Sequence, residues 1–97
     1  LLDVARLESG ATQPRITDFP LERVFESLRV TFDVQAAEKG LRFRLHPTAV
    51  WCRSDPLLLE RVLANLLSNA LRYTARGTVL AGVRILDAGR LRIEVRD

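Results

Sequence analysis

The chain has 97 residues, enough for one small domain or part of one, so a single core is expected rather than two. Hydrophobic residues make up 47% and charged residues 28%, which excludes a disordered or low-complexity segment. The net charge of +3 comes from arginines scattered along the sequence, with Lys39 the only lysine, and reads as a solvated basic surface rather than a nucleic-acid footprint.

No run approaches the roughly 20 apolar residues of a membrane-spanning helix, and charged Arg6 and Glu8 break any signal-peptide pattern at the start. A cytoplasmic location is expected, with any membrane contact left to regions outside this chain. One cysteine, Cys52, and one histidine, His46, exclude an internal disulfide and a Cys/His zinc site.

Leu1, Leu2, Val4, Ala5 and Leu7 form a short helical pattern that stops at Ser9 and Gly10 and lacks a start signal, as at the end of a longer helix. Residues 11–19 read as a linker with Pro14, then a short strand at Ile16 to Phe19. Leu21, Val24, Phe25, Leu28, Phe32 and Ala36 recur at three and four, predicting an amphipathic helix from Pro20 to Lys39, with Pro20 in its first turn and Gly40 as its stop.

Leu41 to Leu45 alternates as a half-buried strand, and Ala49 to Cys52 is a second short extended run. Asp55 before Pro56 marks the start of a helix running to about Tyr73. Thr78 to Leu86 and Arg90 to Arg96 read as a hairpin turning at Asp87, Ala88 and Gly89, with Leu91, Ile93 and Val95 on its buried side. The grouping predicts an α+β fold, a two-layer α/β sandwich with helices on one face of a sheet.

The second helix is apolar around most of its circumference, which predicts burial on several sides. Arg61, Asn65, Ser68, Asn69 and Arg72 interrupt it as one narrow polar stripe. Asparagine is a mediocre helix former, and a buried unpaired amide costs about 1 to 3 kcal/mol. Either both amides face water, or the stripe lines a polar pocket with amide oxygens toward a metal ion and an arginine toward an anion. Periodicity leaves both readings open.

The string ERVLANLLSNALRYT, Glu60 to Thr74, resembles the asparagine box of the histidine-kinase ATPase family, which shares its nucleotide fold with gyrase, Hsp90 and MutL. SDP at Ser54 to Pro56 resembles the aspartate opening that helix. LLDVARLESG resembles the end of a dimerisation hairpin, and IEVRD the run into the first glycine box. The resemblance implies a Bergerat-type ATP-binding fold. Residues 1–10 would close the dimerisation helix, residues 11–19 would be linker and first strand, and residues 20–97 would be the N-terminal part of the catalytic domain.

Carried over on that resemblance, Asn69 would give a side-chain oxygen to the Mg2+ on the ATP phosphates, and Asn65 would line the same site. Arg72 would face phosphate, Tyr73 the adenine or ribose, and Asp97 would accept a hydrogen bond from the adenine amino group. ATP-hydrolysing relatives carry a glutamate base where Asn65 stands, and an amide cannot take that proton. Glu60 lies more than one turn away and is a poor substitute. His46 does not resemble the phosphoacceptor.

The implied parent is a sensor histidine kinase of two-component signal transduction, a homodimer passing phosphate from a histidine to the receiver domain of a response regulator. The ATP lid and glycine boxes would follow Asp97, so the fragment alone is expected neither to autophosphorylate nor to bind ATP with ordinary affinity. Two alternatives stand beside this reading. One is a winged-helix DNA-binding module built on Arg84, Arg90, Arg92 and Arg96, which the greasy second helix disfavours. The other is a degenerate kinase-like domain used for protein interaction.

Overall fold

The computed structural model describes residues 13–96. The expected helical segment at Leu1 to Leu7, and Asp97, lie outside the described residues. Among the described residues, two sheets and two α-helices follow in the order β1 (Thr17–Pro20), α1 (Leu21–Lys39), β2 (Arg42–Leu45), β3 (Trp51–Ser54), α2 (Pro56–Tyr73), β4 (Thr78–Ile85) and β5 (Leu91–Arg96). β1 pairs antiparallel with β3, while β2, β4 and β5 form a second sheet in that order. In it β2 runs parallel to β4, and β4 antiparallel to β5.

All six apolar positions expected of α1 are buried, and Phe19, Leu41, Leu45, Leu63, Leu67, Leu71, Val79 and Ala81 complete the core. Pro20 closes β1 at the N-cap position instead of entering the first turn. Its ring fixes an extended entry, and Leu21 N–H donates 3.0 Å to Val50 O across the β1–β3 ribbon. Gly40 ends α1 in the left-handed region, φ 74°, where the amides of Gly40 and Leu41 reach the carbonyls of Ala37 and Ala36.

The second extended run lies two residues later than expected, because pairing of Phe19 with Cys52 sets its register and leaves His46 to Val50 as a loop. An ion pair pins that loop to α1. Arg29 pairs with Glu22 and also donates from Nε to Leu45 O, 2.9 Å, while Thr48 N–H donates to Glu22 Oε1, 3.0 Å. The Arg29 guanidinium therefore holds the Glu22 carboxyl below the usual glutamate range, against the opposing effect of burial.

The hairpin turns as expected at Asp87–Gly89, with Leu86 N–H bonded to Arg90 O. It is not a free wing. Its apolar side, with Ile93 and Val95, packs on the core, and β4 is the middle strand of the sheet. Nothing in that arrangement supports the winged-helix reading.

Candidate functional site on the second helix

α2 is fixed at both ends. Asp55 caps its start, Oδ1 accepting from Leu57 N–H at 3.0 Å and Leu58 N–H at 3.2 Å, while Oδ2 accepts from Arg15 N–H at 2.7 Å. These backbone donors, Arg15 foremost, hold the carboxyl below the usual aspartate range. At the other end the Lys39 ammonium donates to the carbonyls of Leu71 and, at 2.7 Å, Arg72. A cation there complements the negative end of the helix dipole. No sequence signal pointed to Lys39 in this role, since the contact spans 33 residues.

Burial on several sides is not what the structure shows. Leu63, Leu67 and Leu71, spaced by four, face α1 and the sheet, and they are the buried residues of the helix. In a two-layer fold a helix has a neighbour on one side, and Leu57, Val62 and Leu66 remain exposed on α2. Apolar character around the circumference therefore does not mean burial around it.

Asn65, Asn69 and Tyr73 follow one another at spacings of four and are exposed, with Arg72 exposed beside them. Tyr73 is 76% and Leu66 47% accessible. Val62 and Leu66 flank the amides on the same face, three residues before Asn65 and Asn69 respectively. Among the described residues neither amide makes a side-chain hydrogen bond. The four expected site residues inside the described region thus share one open face, whereas Asp97 falls outside it.

Glu60 lies elsewhere, its Oε2 accepting from Ser27 Oγ of α1 at 3.1 Å. His46 follows β2, its ring beside Gly82 and its backbone N–H donating to Ala81 O at 2.9 Å. Among the described residues no three His, Cys, Asp or Glu side chains converge as a metal cage, and no helix is long and apolar enough to cross a membrane. A cation on this face would take its protein ligands from amide oxygens.

Known proteins identify this fold. The chain is 33% identical over 96 residues to the sensor protein CopS of Pseudomonas syringae pv. tomato, covering 99% of this chain and 19% of CopS. It is 40% identical over 67 residues to the aerobic respiration control sensor protein ArcB of Escherichia coli (strain K12), covering 66% of this chain and 9% of ArcB. Its fold superimposes on the crystal structure of full-length ShkA in complex with AMPPNP with a TM-score of 0.82 and 26% identity, over 97% of this chain and 21% of ShkA. No protein-family model matches the chain.

These likenesses define an α+β kinase catalytic domain. The chain belongs to the sensor histidine kinases, as part of their ATP-binding domain. It spans about a fifth of CopS and less than a tenth of ArcB.

Proposed function

We propose that this chain helps bind ATP and Mg2+ in a protein histidine kinase that moves the γ-phosphate to a histidine on its dimerisation domain. The observation that carries the reading is the pair Asn65 and Asn69, one turn apart on an open helix face and without side-chain hydrogen bonds among the described residues. Amides placed there lose little by meeting a ligand, and their oxygens suit a hard cation that keeps part of its water shell. The ShkA structure, related in fold, is a complex with an ATP analogue.

In this reading Asn69 ligates the magnesium and Asn65 lines the same ion. Arg72 turns its guanidinium to phosphate, Tyr73 lies against adenine or ribose, and Asp97 accepts from the adenine amino group. Val62 and Leu66 would limit water beside the amides. Magnesium supplies charge neutralisation at the phosphates, and these residues supply position. The parent is a cytoplasmic or membrane-anchored homodimer whose next partner is a response-regulator receiver domain.

Calorimetric titration with AMPPNP and magnesium tests this on the present chain and on the longest form of the protein that can be expressed. Saturable, magnesium-dependent binding by the longer form, weakened roughly tenfold or more by Asn69→Ala, is expected. Binding unaffected by both Asn69→Ala and Asn65→Ala would sink the assignment. No nucleotide binding by either form would favour a kinase-like domain retained for protein interaction.

A further inference from the structure

Arginines scattered in the sequence converge in space. Strand residues alternate between faces, so β2, β4 and β5 turn Arg42, Arg44, Arg84, Arg92 and Arg96 away from the helices. The register sets Arg44 beside Leu80, Leu80 beside Arg96, Gly82 beside Glu94, and Arg84 beside Arg92. Glu94 is the one carboxylate among these outward strand residues. Five arginines against one glutamate leave four positive charges here, on a chain whose net charge is +3, so the remainder is close to neutral.

The face has shape as well as charge. A cleft of about 500 Å³ opens between the His46–Val50 loop and β4, bordered by Arg84, Glu94 and Arg96, with apolar Val50 and Leu80 in its lining. Gly82 forms part of its floor beside the His46 ring, which would lie 3.5 Å from a Cβ there, an ordinary van der Waals contact. Glu94 braces the border: its oxygens lie 2.6 Å from Arg84 Nε and 3.7 Å from Arg96. Both guanidiniums stay about two-thirds accessible, at 65% and 67%. Arg84 and Arg92, directly opposite, repel each other unless an anion bridges them.

We propose that this outer sheet face docks an acidic segment of a partner protein. Its carboxylates would pair with Arg84, Arg92 and Arg96, and an apolar side chain would enter the cleft. Guanidiniums match carboxylates as forks, and the cleft asks for a side chain that a bare polyanion does not have. A nucleic-acid backbone would meet Glu94 at the centre of the face, with no aromatic ring among the outward strand residues to stack on. A flat anionic membrane would leave the cleft unfilled.

The test measures fluorescence anisotropy of a labelled peptide rich in glutamate with two leucines, against duplex DNA and phosphatidylserine vesicles. Paired Arg84→Glu and Arg96→Glu should weaken peptide binding roughly tenfold or more, and the milder Gln pair severalfold. The same charge change placed off the face, Arg23→Glu with Arg76→Glu, should stay within about twofold. Thermal melts of the Gln pair separate docking from folding. Equal loss in the two Glu pairs, tighter binding to DNA or vesicles, or no peptide binding would each overturn the proposal.

Discussion

The ammonium of Lys39, the last residue of α1, donates a 2.7 Å hydrogen bond to the carbonyl oxygen of Arg72 in the last turn of α2. The same ammonium reaches the Leu71 carbonyl, so one side chain joins the ends of two helices at the turn that carries Arg72 and Tyr73.

Lys39→Met keeps the aliphatic stem and removes the donor. A charged hydrogen bond at a partly exposed helix end contributes about 1 kcal/mol, so the melting midpoint should fall by roughly 4 to 8 °C. Because the interaction is partly electrostatic, the difference between wild type and variant should shrink in 1 M salt. Calorimetric melts at low and high salt check both points, and an unchanged midpoint would remove Lys39 from the account of α2.

Adjacent leucines on α2 should behave differently. Leu67 is 1% accessible and Leu66 47%. Leu67→Ala should cost about 2 to 5 kcal/mol, enough to unfold much of so small a domain. Leu66→Ala should cost less than about 1 kcal/mol, yet weaken nucleotide binding if Leu66 flanks the site. Chemical denaturation separates the two; similar losses would mean that the open face of α2 is covered.

Much of the fold was legible because its signals are local. Three-and-four spacing, with Pro20 and Gly40 as boundaries, located α1 and its six core residues, and Asp55 before Pro56 located the start of α2. Strict alternation in β5 told Ile93 from Arg92. The rest depends on distant partners. Side-chain chemistry does not distinguish Leu66 from Leu67 until α1 and the sheet choose a side. The register of β3 is set by Phe19, and the gathering of Arg44, Arg84 and Arg96 follows from strand order. Asn65 and Asn69 stood out by periodicity as part of a polar stripe, but their roles came from resemblance, because spacing on a helix does not tell an amide facing water from one facing a ligand.

Acid should destabilise the domain through Glu22 and Asp55. Both carboxyls are held below their usual range, Glu22 chiefly by Arg29 and Asp55 chiefly by the Arg15 amide. Each therefore binds a proton less readily folded than unfolded. Their stabilisation is complete above the unfolded range, about pH 4 to 4.5, and is lost as pH falls through the lowered folded values. Melting midpoints from pH 7 to pH 3 should drop below about pH 5, and the drop should flatten in Glu22→Gln with Asp55→Asn. An acid limb identical in that double variant would place the responsible groups elsewhere.

The choice of amide at position 65 should decide where phosphate goes. Asn65 and Asn69 share the open face, whereas Glu60 is turned to Ser27 on α1, so among the carboxylates of α2 none is placed to activate water beside Asn69. Asn65→Glu would put a general base one turn from the proposed magnesium ligand. In the longest expressible form of the protein, that variant should release inorganic phosphate from ATP faster than wild type, by an effect on the order of tenfold or more for a positioned base. Phosphohistidine yield should fall in parallel, as water competes with the histidine. Asn65→Gln controls for side-chain length, because it lengthens the amide without adding a base. Phosphate release raised equally by Glu and Gln would mean that the pocket had merely been opened to water, and that Asn65 does not govern the nucleophile.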